Sequence, residues 1–376
     1  MKTVIIGPVY PYRGGIAHHS TLMAQSLESA GHQVTVISFR RQYLSFLYPG
    51  ETDKDTSKYK LELPALYLLD PLYPWTWVKV ANQITQEKPD IVIIQWWTPF
   101  WAPAFAALAR LIRHKKIPVV FLIHNVMPHE TKIWDRWLCK FALLGGSKYI
   151  VQTEKEAARL KSLLPHATIV KTPLPVYAMF SGQQSITMTA AREKLEILPS
   201  ARVLLFFGIV RPYKGLRYLL ETVALLRKSG REYFLLVAGE FWEDFNQYSA
   251  QIKNLGIQDQ VKIFNYYIPN EDLPVFFAAA DIFVAPYIDG TQSAAAKMAL
   301  GFNLPIVISH CIVDETLSQC SNVWAVPERD AQALAVGIEA AFANISSRED
   351  RQPENDWNRL VQTIEKIHWM DKQEGT

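Results

Sequence analysis

Short apolar runs alternate with amphipathic helical patterns along most of the chain. Runs of this length predict β-strands, and strands separated by helices predict βαβ units with parallel sheets. In the first half the predicted strands lie at 2–6, 33–38, 90–95, 118–124 and 148–152. In the second half they lie at 202–208, 233–239, 260–266, 281–287 and 305–309. The pattern therefore predicts an α/β chain of two doubly wound, Rossmann-like domains that face one another across a cleft, with ligands at the carboxyl ends of the strands.

The alternation is interrupted between residues 165 and 200, where four prolines and the Ser/Thr/Gln-rich piece SGQQSITMT occur. Prolines and polar residues clustered between periodic segments are typical of a domain boundary. We therefore expect a first domain at 1–170, a linker at 171–200, a second domain at 201–350 and a C-terminal helix at 351–376 that packs back toward the first domain.

The composition is that of a folded chain, with 376 residues, 49% hydrophobic and 20% charged. The apolar run before Gly7 is too short for the core of a secretory signal, and the most apolar later stretch, 96–109, carries two prolines and is too short to span a bilayer. The three cysteines are odd in number and lack metal-ligand spacing, which fits a reducing compartment. We expect a cytoplasmic protein.

Charge is distributed unevenly about a net value of +3. Residues 1–178 hold 21 Lys or Arg against 12 Asp or Glu, whereas the remainder holds 18 against 24. The basic excess is either solvated surface or the mark of an anionic partner or membrane. The segment 105–116, an apolar helix ending in four cations, has two readings as well: favourable charges at a helix C-terminus, or peripheral attachment to an anionic inner leaflet.

Two loops that follow predicted strands could bind an anion. Gly14 and Gly15 open a helix, where backbone amides and the helix dipole favour negative charge, although a tight turn alone would also need glycine. Arg211 and Lys214 precede another helix, where cations oppose the dipole. A bound diphosphate would offset that conflict, and solvated surface charge is the alternative.

A third loop, at 291–293, joins a buried strand to an alanine-rich helix. Its Thr291, Gln292 and Ser293 either cap the helix or hold phosphate or sugar hydroxyls. If the helix includes Asp289, Ser293 and Lys297, their spacing by four puts them on one face, where Lys297 either adds positive charge to the site or projects into water.

Aromatic and histidine side chains follow strands of the first half. Trp96 and Trp97 either stack on a sugar or lipid acceptor or pack in the core. His124, at a strand's end, and His129, in the next loop, are either structural or functional. Neither histidine has a supporting set of ligands nearby, so no metal site is predicted.

The order and spacing of a set of short motifs resemble those of the GT-B-fold retaining glycosyltransferases of the "glycosyl transferases group 1" family over nearly the whole chain. The shared motifs are the Gly-Gly loop, GHQV at 31–34, the histidine at 124, FFGIVRPYKGL, VAGE at 237–240, AAADIFVAPY and LPIV. The resemblance implies that Gly15, Arg211 and Lys214 contact the donor's diphosphate and that His124 lies near the transferred sugar. It also implies donor-binding roles for Gly14 and for Glu240, which ends the VAGE motif.

The chain departs from the family pattern at two places. Ile209 follows Gly208 where family members commonly have arginine, and the arginine comes two positions later. The Glu-x7-Glu pair that contacts donor sugar and ribose is missing, because the matching positions hold Gly290 and Met298 or, one residue earlier, Asp289 and Lys297. We hypothesise that the residues of 291–293 act in place of the carboxylates.

The resemblance implies a retaining, metal-independent glycosyltransferase without a cofactor. It would use a nucleoside-diphosphate sugar and a glycan or lipid-linked acceptor in cell-surface polysaccharide or glycolipid synthesis. The acceptor would bind the basic first half, with possible contact to an anionic membrane at its inner face, and no nucleic-acid partner is expected. The alternatives are a non-catalytic partner subunit of the same fold and a nucleotide-sugar 2-epimerase.

Overall fold

The computed structural model describes residues 1–44, 48–128, 132–181, 186–345 and 356–374. The chain forms two compact units. Unit 1 comprises Met1–Asp55, Lys60–Pro175 and Asn355–Thr376, and unit 2 comprises Thr56–Tyr59 and Val176–Glu354.

Unit 1 is built on a parallel sheet that has, among the described residues, seven strands in the order β3-β2-β1-β4-β5-β6-β7. Its strands are β1 Lys2–Ile6, β2 Gln33–Phe39, β3 Leu66–Leu69, β4 Ile91–Trp96, β5 Val119–Ile123, β6 Lys148–Val151 and β7 Ile169–Lys171. Its helices are α1 Gly15–Ser29, α2 Pro74–Glu87, α3 Ala102–His114, α4 Asp135–Leu143, α5 Glu154–Leu163 and α13 Trp357–Glu374.

Unit 2 is built on a second parallel sheet that has, within the part of the chain described, six strands in the order β10-β9-β8-β11-β12-β13. Its strands are β8 Val203–Phe207, β9 Phe234–Ala238, β10 Val261–Phe264, β11 Ile282–Ala285, β12 Ile306–Ser309 and β13 Val323–Val326. Its helices are α6 Met188–Lys194, α7 Leu216–Lys228, α8 Phe245–Leu255, α9 Leu273–Ala279, α10 Ala294–Gly301, α11 Glu315–Ser318 and α12 Ala331–Ala343.

The two parallel sheets and the alternating helices confirm the predicted fold class. Central strands are apolar at consecutive positions: β5 has the sequence VVFLI and all five residues are buried. Such runs occur because helices cover both faces of a parallel sheet. In register, Val4 of β1 lies opposite Thr35 of β2 and Val92 of β4.

Three strands were not predicted: β3, β7 and β13. Each lies at the edge of its sheet and is three or four residues long. An edge strand is covered less completely than a central one, and these three are only partly buried. Their sequences, LYLL, IVK and VWAV, are at or below the lower limit of about four residues for an apolar run that predicts a strand.

The segment for which the sequence predicted a linker, 171–200, contains helix α6, and this helix belongs to unit 2. Arg192 of α6 is buried and donates to Asp281 Oδ2 at 2.8 Å and to the carbonyl oxygen of Ala279 at 3.0 Å. Helix α13 belongs to unit 1, where His32 Nε2 lies 2.9 Å from Glu365 Oε1. None of the described helices is both long and apolar enough to cross a membrane.

Candidate functional site

The loops that follow β8 and β9 lie against each other at the carboxyl edge of the unit 2 sheet. The nitrogen of Val210 donates to the carbonyl of Glu240 at 2.8 Å, and the nitrogen of Trp242 donates to the carbonyl of Val210 at 3.0 Å. Gly239 has φ +149°, and a Cβ added there would lie 2.2 Å from the carbonyl oxygen of Gly208. Only glycine permits this close approach.

Arg211 and Lys214 are held by the loop between β8 and α7. Residues Pro212–Lys214 form a 3₁₀ turn, and Gly215 follows with φ +70°. A Cβ on Gly215 would lie 2.0 Å from the carbonyl oxygen of Pro286, so this loop packs directly on the loop after β11. The sequence thus fixes both cations at a junction of three strand-end loops.

Lys214 is half-buried among the same loops. Its Nζ lies 3.0 Å from the position that a Cβ of Gly208 would occupy and 5.6 Å from the ring centre of Tyr287. Burial lowers the pKa of Lys214; Tyr213 acts in the opposite direction, and the charge of Arg211 lowers it further. An anion bound here would compensate both the burial and the repulsion between the cations.

Glu240 and Trp242 support Arg211. Glu240 is 8% exposed, and its Oε2 accepts a hydrogen bond from Trp242 Nε1 at 2.9 Å. The guanidinium of Arg211 lies 5.7 Å from the Trp242 ring and 5.9 Å from the Tyr213 ring. The sequence did not predict roles for Trp242 and Tyr213. The available indication was their position: Tyr213 lies within FFGIVRPYKGL, and Trp242 lies two residues after VAGE.

The loop before α10 positions Ser293 as the helix N-cap. Its Oγ accepts from the nitrogen of Ala296 at 3.2 Å and lies 3.2 Å from the hydroxyl oxygen of Tyr287. Burial raises the pKa of Tyr287 to about 12, so this hydroxyl keeps its proton at neutral pH. Thr291 and Ser293 are both buried. The capping alternative is therefore correct for Ser293.

The predicted helical face of Asp289, Ser293 and Lys297 does not form. Helix α10 begins at Ala294, so Asp289 lies outside it, and Gln292 lies in the loop. Ser293 ends the loop because its side chain satisfies a free amide of the first helical turn, which stops the helix from starting earlier.

Neither alternative for Lys297 is correct, because the side chain is fully buried. Its Nζ lies 2.9 Å from both carboxylate oxygens of Asp314. Oδ1 of Asp314 also accepts from the nitrogen of Leu317 at 3.0 Å and so caps α11. The positive charge of Lys297 is neutralised inside unit 2 by a residue 17 positions later, a pairing that sequence spacing does not reveal.

In unit 1, Gly14 and Gly15 lie at the N-terminus of α1, as the sequence predicted. Gly14 is the N-cap with φ +103°, and its carbonyl accepts from the nitrogen of His18 at 3.1 Å. A Cβ on Gly14 would meet nothing within 4 Å. The first turn of α1 lies at the carboxyl edge of the sheet, where an anion could approach its amides.

His124 follows β5 and is 3% exposed. Its Nε2 lies 2.6 Å from Gln95 Oε1, and its ring meets the ring of His19 edge-on at 4.8 Å. Burial lowers the pKa of His124 to about 3, so the imidazole is neutral at physiological pH and Nε2 donates to the amide oxygen. Gln95 and His19 belong to none of the motifs, so the sequence did not predict them as partners of His124.

The two tryptophans after β4 differ. Trp96 is fully buried and packs against Phe105 and Phe121, so it is a core residue and the predicted acceptor contact for it is wrong. Apolar neighbours on adjacent strands and helices surround it because β4 is central to the sheet. Trp97 is partly buried, and its Nε1 donates to the hydroxyl of Tyr43 at 2.8 Å. His129 lies outside the described residues.

No group of three or more His, Cys, Asp or Glu side chains in the described ranges is arranged to hold a metal ion. The carboxyl edge of unit 2 instead presents two cations supported by aromatic rings. That arrangement suits a multiply charged anion such as a diphosphate.

Two family models match the sequence. The model described as Glycosyltransferase Family 4 matches residues 13–174, and the model described as Glycosyl transferases group 1 matches residues 187–356. The first match lies in unit 1 except for residues 56–59, and the second lies in unit 2 except for residues 355–356.

Curated relatives match over part of their length. The O-antigen chain mannosyltransferase B of Escherichia coli is 32% identical over 127 residues, which are 33% of this chain and 29% of that protein. The amylovoran biosynthesis glycosyltransferase AmsK of Erwinia amylovora is 30% identical over 155 residues, which are 39% of this chain and 35% of that protein. The match thus spans about a third of the length of these relatives.

Solved structures match over nearly the whole chain. Sucrose-phosphate synthase from Thermosynechococcus elongatus has a TM-score of 0.68 at 17% identity, covering 99% of this chain and 97% of that one. HepE from Anabaena, solved with UDP, has a TM-score of 0.68 at 15% identity, covering 100% and 99%. WaaG, a glycosyltransferase involved in lipopolysaccharide biosynthesis, has 0.64 at 17%, covering 98% of each chain. At sequence identities this low, the structural likeness shows a shared fold and nothing finer.

Proposed function

The chain belongs to the group 1 glycosyltransferases and has the GT-B fold, and we propose that it transfers a glycosyl group from a nucleoside-diphosphate sugar to a glycan or lipid-linked acceptor. The observation that carries this proposal is the cation pair Arg211 and Lys214 at the carboxyl edge of unit 2. The family match of unit 2 and the UDP-bound structure of HepE support a nucleotide donor.

In the proposed reaction the diphosphate of the donor binds between the β8–α7 loop and the start of α10. Departure of the nucleoside diphosphate develops negative charge on the leaving oxygen. Lys214 and Arg211 stabilise that charge through fixed electrostatic interactions, which do not need to reorganise during the reaction. Glu240 acts through Trp242, which it orients against Arg211. Thr291 and Gln292 contact the phosphate or the sugar hydroxyls.

We propose that transfer proceeds with retention at the anomeric carbon and without a metal ion. The cations of unit 2 take the role that a divalent metal has in other transferases, and the described residues offer no cluster of metal ligands. In unit 1, His124 is neutral and its Nε2 is engaged by Gln95. It therefore acts by donating or accepting hydrogen bonds near the transferred sugar and not as a cation, while Gly14 and Gly15 offer amides to the donor.

The acceptor is proposed to bind unit 1, which is basic, at the cytoplasmic face of a membrane. Two relatives carry the O-antigen and amylovoran pathways in their names, which supports a role in surface polysaccharide synthesis. Trp97 is the aromatic residue of the predicted pair that retains some exposure.

A panel of nucleoside-diphosphate sugars tests the proposal. The sugar that raises the melting temperature most is then assayed for donor hydrolysis and for transfer to lipid and glycan acceptors. Binding of a donor together with its turnover supports the enzyme. Binding without any hydrolysis or transfer would support the non-catalytic partner subunit instead. That alternative rests on the prediction that the Glu-x7-Glu pair is missing.

A further inference from the structure

Helix α4 of unit 1 and the residues that flank it expose large apolar side chains toward solvent. Ile133 is 97% exposed and Trp137 is 66% exposed, although both are residues that folding normally buries. We use the name α4 surface for the exposed residues Lys132, Ile133, Trp134, Arg136, Trp137, Lys140, Phe141 and Leu144.

The exposed residues are not the face that packs on unit 1. The buried face of α4 consists of Asp135, Cys139, Ala142 and Leu143. The helix is therefore apolar on its inner side and carries tryptophan, phenylalanine and leucine on its outer side as well. Contiguous exposed apolar groups of this kind mark an interaction surface.

The α4 surface is also positively charged. Between residues 132 and 144 the acidic residue is Asp135, which is buried and accepts from the nitrogen of Lys132 at 2.7 Å. The cations Lys132, Arg136 and Lys140 are exposed among the apolar side chains. Over 91–153 the sequence holds eight Lys or Arg and two Asp or Glu.

The basic end of α3 adjoins this surface. Arg110 Nη2 donates to the carbonyl of Phe141 at 2.9 Å, and its guanidinium lies 4.4 Å from the centre of the Phe141 ring. Arg113 donates to the carbonyls of Gly145 and Gly146. These contacts anchor Arg110 to α4 and Arg113 to the turn that follows it, so the end of α3 adds charge beside the apolar side chains of the α4 surface.

We propose that the α4 surface binds an anionic lipid bilayer, with Trp134, Trp137 and Phe141 inserted at the headgroup boundary. Tryptophan and phenylalanine beside lysine and arginine are the composition of interfacial membrane helices, and each cation gains from the negative potential of an anionic leaflet. A second copy of the chain is a poorer occupant, because it would bring the same cations against each other.

This inference names the surface through which the protein of the proposed function contacts the membrane. It rests on the proposed function only in taking the acceptor to be at a membrane. Lipid binding is measured without donor or acceptor. Failure to bind lipid therefore leaves glycosyl transfer untouched, and failure of transfer leaves lipid binding untouched.

Sedimentation with sucrose-loaded vesicles tests the proposal on the full chain. We expect binding to vesicles of phosphatidylglycerol and phosphatidylcholine and little binding to phosphatidylcholine alone. Arg136→Gln with Lys140→Gln should weaken binding roughly 10- to 30-fold, which corresponds to about 1 kcal/mol for each cation at the surface. The matched control, Lys228→Gln with Lys253→Gln, removes two exposed charges from unit 2 and should change little.

A second pair of variants tests insertion. Trp137→Ala with Phe141→Ala should weaken binding to anionic vesicles at least tenfold and lower the melting temperature only slightly, because Trp137 is 66% exposed and Phe141 loses mainly its contact with Arg110. Trp369→Ala removes a tryptophan of similar exposure, 63%, from α13 and should not weaken binding. Unchanged binding of the Trp137/Phe141 variant would reduce the effect to electrostatic adsorption and overturn the proposal, as would a dimer that this variant dissociates.

Discussion

Lys214 is the side chain on which the proposed leaving-group stabilisation depends most directly. Its Nζ lies near Gly208 and the Tyr287 ring, and the side chain is half-buried, so part of its hydration is lost. Burial lowers its pKa, so the folded protein holds this proton less tightly than the unfolded chain does. Below the lowered pKa, the charged group therefore reduces the stability of the ligand-free protein, and the cost disappears as pH rises and the proton is lost.

Replacing Lys214 by alanine should lower kcat about 10²- to 10³-fold, which corresponds to roughly 3–4 kcal/mol of lost transition-state stabilisation. The melting temperature of the ligand-free protein should stay constant or rise, because an unfavourably placed charge is removed. Steady-state kinetics with the correct donor and a melting curve measure both effects. Lys228→Ala, at the exposed end of α7, is the control. Turnover of Lys214→Ala within threefold of wild type would remove Lys214 from the diphosphate site.

The buried pair Lys297–Asp314 is a second prediction at the scale of residues. Lys297→Met leaves the Asp314 carboxylate buried without its cation, which should reduce the free energy of unfolding by about 3–5 kcal/mol. Asp314→Asn in the Lys297→Met background removes that charge and retains an amide oxygen that can cap α11, so it should recover much of the loss. Urea denaturation of both variants measures the difference. Equal stability of the single and double variants would contradict a charge effect.

At the scale of elements, two residues at the start of α10 have different predicted roles: Ser293 caps the helix, and Thr291 binds the donor. Ser293 accepts from the nitrogen of Ala296, whereas Thr291 precedes the cap by two residues. Ser293→Ala should reduce the free energy of unfolding by about 0.5–2 kcal/mol, and Ser293→Thr should restore it, because threonine also caps.

Thr291→Ala, in contrast, should weaken donor binding about 10- to 100-fold, since a hydrogen bond to a charged phosphate contributes roughly 1.5–3 kcal/mol. Calorimetric titration with the nucleoside diphosphate measures the affinity, and a melting curve measures the cap. Affinity unchanged in both variants, with a lower melting temperature for Ser293→Ala, would leave only the capping role.

The sequence predicted elements well where burial left a local signal. Strands β4 and β5 are buried at every residue, so an unbroken apolar run identifies them. The edge strands β3, β7 and β13 are only three or four residues long, so their apolar runs are too short to distinguish them from loops. The loop at 291–293 was predicted correctly as the segment before α10, whereas the conditional helical face with Asp289 did not form because the helix begins only after the Ser293 cap.

Residues were harder to predict than elements because their environment depends on distant parts of the chain. Lys297 is neutralised by Asp314, and Trp96 is covered by α3 and β5. The motifs could locate Arg211 and Lys214 at a strand end. The supporting Trp242 and the Gln95 partner of His124 could not be found, since nothing local marks a side chain that contacts a neighbouring loop.

At the scale of the whole molecule, the charge separation between the two halves agrees with separate tasks for the two units. The N-terminal half is basic, and three of its exposed cations, Lys132, Arg136 and Lys140, belong to the α4 surface. The second half is acidic overall, yet it holds Arg211 and Lys214 at the carboxyl edge of its sheet. A net charge count would therefore miss both the proposed lipid surface and the proposed diphosphate site, because each depends on where the charges lie.

The cations of the diphosphate site also decide the expected response of the whole protein to chelation. Arg211 and Lys214 supply two positive charges, the same number as one divalent ion, and the described residues hold no cluster of three metal ligands. Glycosyl transfer should therefore retain at least about half its rate in excess EDTA, because leaving-group stabilisation comes from side chains. The assay compares untreated, EDTA-treated and Mg²⁺- or Mn²⁺-restored protein with the same donor. Loss of transfer in EDTA that either metal restores would show that the donor's diphosphate needs a metal ion in addition to Arg211 and Lys214.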